Sequence, residues 1–316
     1  MRTIPYTKGL HQLNDGVYAY LSPDGSWGLS NAGLVVDSGE SLLIDTLFDT
    51  KLTGGMLSEM AAATSDARSI DTLVITHGNG DHFYGSELLP NAEIIASTTC
   101  SEEMKNAPPE GLSRLLEAAP SLGPAGEFAA EMFGRFEFKG LNPRMPTRTF
   151  DGRMELGVGK KTAILIEVGP AHTKGDVIIH IPENRVVFAG DMLFIGGTPI
   201  MWAGPASNWI RACDLMLDLD ANYYVPGHGP VTDKAGVADV KGYIEYIHGE
   251  ALKRYEAGMT PQETAFDIDP GIYRTWGDRE RIVVNVNTLF KEFSGEESPD
   301  DVLTLFTQMA RLAQRK

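Results

Sequence analysis

A chain of 316 residues is long for one ordinary domain but suits a single α/β domain with insertions, and its 42% apolar content can fill a large core. Its 27 basic and 43 acidic side chains leave a formal charge of −16, which repels phosphate backbones and anionic headgroups and argues against nucleic-acid and membrane-surface partners. Two cysteines, Cys100 and Cys213, make neither a disulfide framework nor a thiolate metal site, and no apolar run approaches the roughly 18 residues that span a bilayer.

Met1-Arg2-Thr3-Ile4-Pro5 lacks the apolar core of an export signal, so a cytoplasmic location is expected. Up to about residue 100 the chain alternates short strands and turns. Gly33 to Asp37 and Ser41 to Thr46 read as a hairpin about Ser38-Gly39-Glu40, and Leu73-Val74-Ile75-Thr76 as a buried strand running into a polar, glycine-rich loop. A short helix over Phe83 to Leu89 and a strand over Ala92 to Ser97 follow. Residues 101–150 carry six prolines, a helical stretch near Gly111 to Ala119, and Phe128, Phe133, Phe136 and Phe138. So much apolar surface suits either an extra packing layer or a lid over a site. Strands are expected at Ala163 to Val168, Val177 to Ile181, Val186 to Ala189 and Tyr223 to Val225. From about Gly236 helices dominate, one opened by the capping box Thr260-Pro261-Gln262-Glu263. The last begins at Ser298-Pro299-Asp300-Asp301, with Arg311, Arg315 and Lys316 at its end. Two strand-rich segments with helices between them suggest a sheet-on-sheet core covered by helices.

Four of the seven histidines sit where strands run into loops, beside glycine or a carboxylate. His77-Gly78-Asn79-Gly80-Asp81-His82 is the densest cluster. Gly169-Pro170-Ala171-His172, Ala189-Gly190-Asp191 and Pro226-Gly227-His228-Gly229 follow in order. Imidazole and carboxylate suit zinc, and also iron and manganese, while adjacent glycines let the backbone bend so that side chains converge. Any one of these is an ordinary turn residue; the ordered set points to a metal centre on a rigid scaffold. His11, His180 and His248 lie outside the set and read as structural.

This ordered set resembles the metallo-β-lactamase superfamily, whose first motif is His-x-His-x-Asp-His, over roughly residues 15–235. The resemblance implies an αββα sandwich over residues 1–235, with 101–150 as a mid-chain insertion and 236–316 as a helical C-terminal extension packed on the same domain. It implies one or two zinc ions per chain, with iron and manganese open to the same donors. One metal would be held by His77, Asn79 and His172, the other by Asp81, His82 and His228, with Asp191 between them. Asp45 matches the family's early Asp, which organises the ligand loop without binding metal. Asn79 departs from the pattern: it stands where the family has a second His, and an amide oxygen is the weaker zinc donor, so the His77/His172 site is expected to be the weaker.

A bound zinc lowers the pKa of its water and polarises a carbonyl, so hydrolysis of an ester, thioester or lactone is the expected reaction. Asp81 would orient the nucleophile or shuttle its proton, and Tyr84, or one of Tyr223 and Tyr224, would donate a hydroxyl to the oxyanion. Phe83, Trp27, Phe194 and Trp202 flank the ligands or the family's site loop and suggest an apolar or aromatic substrate. The stretch from Thr76 to Met104 resembles an Asn-bearing subgroup that includes aromatic polyketide cyclases and thioesterases. Ring closure of such an intermediate therefore stands beside hydrolysis, with an iron-dependent dioxygenase and a non-catalytic binding protein as further readings. Assembly as a monomer or a homodimer stays open.

Overall fold

The hairpin signals early in the chain become one edge of a seven-stranded sheet in the computed structural model, which describes residues 3–315. Met1, Arg2 and Lys316, used above for the export signal and the end of the last helix, lie outside the described residues. Strands β1 (Gly9–Asn14), β2 (Val17–Leu21), β3 (Ala32–Asp37) and β4 (Glu40–Ile44) form an antiparallel meander. Helix α1 (Thr50–Ala63), capped where the Asp49 carboxylate accepts from the Leu52 amide, then crosses to β5 (Thr72–Val74), which pairs parallel with β4. The one-turn helix α2 (Gly80–Phe83) and a 3₁₀ stretch over Tyr84–Leu88 lead to β6 (Glu93–Ser97), also parallel. The helix expected over Phe83 to Leu89 therefore starts earlier and tightens. Asp81 and His82 occupy its first turn.

Three helices fill most of the 101–150 segment: α3 (Thr98–Asn106), α4 (Pro109–Ala118) and α5 (Pro124–Phe133). Proline sits in the first turn of α4 and of α5, where no intrahelical N–H is missed. Strand β7 (Arg148–Phe150) closes the first sheet beside β6.

The second sheet has five strands. Strands β8 (Arg153–Val158), β9 (Lys161–Glu167), β10 (Val177–Ile181) and β11 (Val186–Phe194) run antiparallel. Helix α6 (Ala206–Asp218) crosses over to β12 (Tyr223–His228), parallel to β11. Strand β11 runs past its expected end at Ala189. Its register with β12 shifts at Gly190, whose φ of +50° bends the strand and lets pairing resume at Phe194. The chain ends in α7 (Lys234–Glu256), α8 (Pro261–Asp267), α9 (Ile282–Ser294) and α10 (Val302–Ala313). The capping box at Thr260 is present in both directions.

Successive strand residues point to opposite faces, and both faces of these sheets are covered. Leu42, Ile44 and Val74 meet Leu165, Ile179 and Val225 between the sheets. Leu43, Leu73 and Ile178 point outward into a second core shared with Met56 of α1, Trp209 of α6 and Ile244 of α7. The result is the αββα sandwich with a mid-chain insertion and a helical C-terminal extension. Residues of α9 and α10, Leu289 and Phe306 among them, belong to that same outer core. Cys100 and Cys213 are buried and unbridged. Among the described residues no helix is long and apolar enough to cross a membrane.

Candidate metal centre and its cavity

Strand ends and bends bring the sequence-distant ligand candidates to one edge of the sandwich. His77 follows β5, Asp81 and His82 ride on α2, His172 follows β9, Asp191 lies at the β11 bend and His228 ends β12. They form two triads of donors, His77/His172/Asp191 and Asp81/His82/His228, each with its donor atoms within 4.8 Å of one another. Asp191 lies between them. Its Oδ2 is 3.7 Å from His77 Nε2, 3.3 Å from His172 Nε2 and 3.4 Å from His228 Nε2, and its Oδ1 is 3.2 Å from His82 Nε2. Asp81 Oδ2 stands 3.4 Å from His228 Nε2.

Each imidazole is held from behind through Nδ1. His172 Nδ1 lies 2.6 Å from the Ile200 carbonyl and His228 Nδ1 3.1 Å from the Gly25 carbonyl. A carbonyl only accepts, so both rings carry their proton on Nδ1 and leave the Nε2 lone pair facing the site. His82 Nδ1 lies 2.8 Å from Asp45 Oδ2, which fixes the same tautomer, and His77 Nδ1 lies 3.0 Å from Thr76 Oγ1. Asp45 also accepts from the Thr76 amide and hydroxyl, both at 2.7 Å.

The donor set fits a divalent cation. His77 Nε2, His82 Nε2 and Asp191 Oδ1 are buried without a hydrogen-bond partner, the arrangement that a metal resolves. The electrostatics agree. Burial opposes the charged form of His82, yet the carboxylates of Asp191, Asp81 and Asp45 outweigh it and hold its pKa well above the usual range. Burial likewise opposes ionised Asp191, but His228, His82, His77 and His172 hold its carboxyl well below the usual value. His77 is pushed down by burial. A pocket that holds Asp191 ionised, raises His82 and leaves His77 unprotonated favours positive charge.

Asn79 reaches the same place as its neighbours. Its side-chain amide nitrogen lies 3.4 Å from His172 Nε2, and a flip of the amide would present its oxygen to that point.

Above these donors is a cavity of about 530 Å³. Trp27, Phe194 and Trp202 line it, as do Asn79, Asp81, His172, Asp191 and His228. Leu112 and Leu115 of α4, Phe133 of α5 and Phe306 of α10 complete its apolar walls. Phe133 and Phe128 pack against Phe306, so insertion and extension meet over the site.

Two expectations are corrected. Phe83 is 1% exposed and does not line the cavity. The turn of α2 that aims Asp81 and His82 at the centre rotates the next residue into the core, where it packs edge-on against Tyr84. Tyr84 lines the cavity, but its hydroxyl already donates to the Ala107 carbonyl at 3.0 Å and its ring stacks on Phe48, so no spare hydroxyl faces an oxyanion. Tyr224 is likewise engaged, donating to the Met216 carbonyl. Phe136 packs behind the wall on Phe48.

Sequence reasoning missed Arg281. It is 2% exposed, lines the cavity, and holds its guanidinium over Trp27 at 4.6 Å and Phe194 at 5.2 Å. A lone arginine before an apolar run carries no local signal.

Comparison with known proteins agrees with this geometry. The model of the Metallo-beta-lactamase superfamily matches residues 25–228. The chain is 25% identical over 237 residues to the 2,4-dinitroanisole O-demethylase subunit alpha of Nocardioides sp. (strain JS1661), covering 72% of this chain and 57% of that one. It is 24% identical over 298 residues to the Beta-lactamase-like protein 2 homolog of Caenorhabditis elegans, covering 92% and 88%. Among solved structures, the inverting sec-alkylsulfatase Pisa1 from Pseudomonas sp. superposes with a TM-score of 0.67 at 16% identity, over 93% of this chain and 52% of that one. A metallo-beta-lactamase from Pontibacter korlensis gives 0.54 at 17% identity, over 76% and 99%. These structural likenesses speak to the fold. The chain spans little more than half the length of the demethylase subunit and of the sulfatase.

Proposed function

Since the chain belongs to the metallo-beta-lactamase superfamily, in general one of metal-dependent hydrolases, we propose that it uses zinc to hydrolyse an ester, thioester or lactone whose acyl or alcohol part is apolar or aromatic. The observation that carries this reading is the cavity, whose floor presents Asp81, His172, Asp191 and His228 of the two His/Asp triads and whose walls are aromatic and aliphatic side chains from several separate stretches of chain. His77, Asn79 and His172 would hold one ion and Asp81, His82 and His228 the other, with Asp191 serving both. When bound, such an ion supplies Lewis acidity and a lowered pKa for coordinated water.

The remaining tasks fall to the chain itself. Asp81 is held ionised: burial raises its pKa, but His82 and His228 more than offset this. Its Oδ2 at the cavity floor can accept the proton released as water adds to a carbonyl. The apolar walls orient the substrate's apolar part. Arg281, sandwiched between Trp27 and Phe194 and paired with Asp278 at 3.1 Å, stiffens two of those walls.

The test begins with metal content, then a panel of neutral esters, thioesters and lactones graded in acyl size, with an aryl methyl ether included because one relative is named a dinitroanisole O-demethylase. Chelator-sensitive turnover with products heavier by one water supports hydrolysis. A ring-closed product of unchanged composition would mean cyclisation. Oxygen consumption with iron in the site would mean oxygenation. No turnover across the panel by metal-loaded protein would count against the reading.

Two predictions follow from the site. Titrating zinc into metal-free protein should give one strong and one weak event, and Asn79→His should tighten the weak one about tenfold or more, because imidazole is the better zinc donor. Two equally tight events in the unmodified chain, with no gain in the variant, would show that Asn79 already ligates well. Trimming the roof should act on substrate size. Phe133→Ala or Phe306→Ala should lower kcat/KM for large aromatic or long acyl substrates by about 10- to 100-fold, the equivalent of about 1.5–3 kcal/mol of side-chain burial, and leave acetyl substrates nearly unchanged. Phe136→Leu, behind the wall, should lower stability alone. Equal losses across all acyl sizes would mean that the roof is only packing.

A further inference from the structure

Two of the four imidazoles take their orientation from loop carbonyls, His228 from Gly25 and His172 from Ile200. Neither loop is held only by its own sheet. One stretch of the C-terminal extension, residues 278–288, grips both. Asp278 Oδ1 accepts from the Ser26 hydroxyl at 2.6 Å, and Glu280 Oε1 accepts from Trp27 Nε1 at 2.8 Å. On the other loop, Arg281 Nη1 donates to the Thr198 carbonyl at 3.1 Å and Asn285 Nδ2 to the Pro199 carbonyl at 2.9 Å. The Met201 amide donates to Asn285 Oδ1 at 2.7 Å, and the Thr288 hydroxyl donates to the Met201 carbonyl at 2.7 Å. Ile200, whose carbonyl holds His172, is thus pinned on both sides. Phe194, under the Arg281 guanidinium, stacks on the His228 ring at 5.1 Å and 1°.

These are buried polar groups. Glu280 and Thr288 are nearly closed to solvent, Arg281 is 2% exposed and Asn285 not at all. Apolar residues would fill the same space without the desolvation cost, so their cost is offset only by the bonds they make. Six of their bonds go to the two loops that orient metal-facing histidines, one in each triad, beside the Asn285 bond to the Tyr243 hydroxyl and the Arg281–Asp278 pair. Residues 278–288 lie outside the matched family region, which ends at residue 228.

We infer that residues 278–288 form a positioning clamp that sets the metal affinity of the two triads separately: Asn285 and Thr288 act through Ile200 on His172, and Asp278 and Glu280 act through Gly25 on His228. Asp278, Glu280, Asn285 and Thr288 are positioning residues and touch neither metal nor substrate, whereas Arg281 of the same stretch lines the cavity. The inference rests on the reading of the His/Asp cluster as a metal centre, and the experiment separates the two.

The probe is Co²⁺ added to the full-length chain, with affinity read by chelator competition and ligand geometry by the visible spectrum. Thr288→Val keeps the volume and removes the donor to Met201. It should weaken the His77/His172 event about tenfold and change its Co²⁺ spectrum, leaving the other event in place, and Thr288→Ser should restore both. Glu280→Leu should do the reverse, weakening the Asp81/His82/His228 event by a similar factor. Thermal unfolding of the metal-free variants reports any general loss of packing, which would not sort by site. Dissociation constants within twofold of the unmodified chain for both variants, or equal losses at both sites in each, would overturn the clamp. If the unmodified chain binds no Co²⁺, the metal reading fails and takes the clamp with it.

Discussion

Gly227→Ala should empty both metal sites. A Cβ at Gly227 would lie 1.8 Å from Asp191 Oδ1 and 2.8 Å from the Gly190 carbonyl carbon. The second contact is backbone and cannot turn aside, so the Asp191 carboxylate must move. That carboxylate is within 3.7 Å of all four site imidazoles. Outer-sphere changes around metal sites cost about 10- to 100-fold in affinity, and displacing the carboxylate that belongs to one triad and faces the histidines of the other should exceed about 100-fold at each. Metal content after dialysis should fall to background, and turnover with it. The overpacking itself should cost about 1–3 kcal/mol of stability, which leaves the protein folded. Gly157→Ala is the control, since a Cβ there meets nothing within 4 Å. Full metal content in folded Gly227→Ala would show that Asp191 is not shared between the sites.

Asp45→Asn should strike one site far harder than the other. Asp45 is buried with φ +62°, a left-handed backbone that Asn tolerates, so the change tests chemistry with little strain. Three donors converge on its two oxygens: the Thr76 amide on Oδ1, and the Thr76 hydroxyl and His82 Nδ1 on Oδ2. An amide offers one oxygen and one NH₂. With the oxygen toward Thr76 N, the NH₂ faces His82 and forces its proton onto Nε2, the atom needed for the metal. With the oxygen toward His82, a buried backbone donor is opposed, at a cost of about 1–3 kcal/mol. The first is the expected outcome, because His82 has a second tautomer and the Thr76 amide has none. The Asp81/His82/His228 event should weaken about 10- to 100-fold, with the His77/His172 event little changed. Calorimetric titration decides it, and equal affinities in both proteins would mean that Asp45 merely caps the strand.

The sequence carried the candidate ligands plainly because each is local: a strand that ends, a glycine that bends, a donor that follows. Strands β3 to β6 and β9 to β12 were legible for the same reason, since alternation and turn residues are short-range signals, whereas β1, β2, β7 and β8 were not singled out. What failed was direction. Phe83 and Tyr84 differ by one step on a single turn, and only the observed start of α2 at Gly80 decides which faces the cavity. Tyr84 gave up its hydroxyl to Ala107, a residue of the inserted segment, by a contact that no spacing encodes. Asp191 was placed at a strand end because Gly190 reads as a terminator, whereas pairing resumes beyond it. Arg281, Asn285 and Thr288 act on residues more than 80 positions away in sequence, and nothing local marks them.

The roof that joins α5 to α10 also bears on the order in which the protein is made. Synthesis runs from the N-terminus, and every ligand through His228 is translated before α10 exists. During that interval the donors can come together on the two sheets while the cavity is still open, so a hydrated ion can approach from bulk solvent without passing an aromatic wall. Once Phe306 settles against Phe128 and Phe133, α10 adds an aromatic wall to one side of the cavity and narrows the way in. A chain ending before α10 should therefore exchange a bound ion faster than the full chain, and the ratio of the two rates would measure how far that wall narrows the way in.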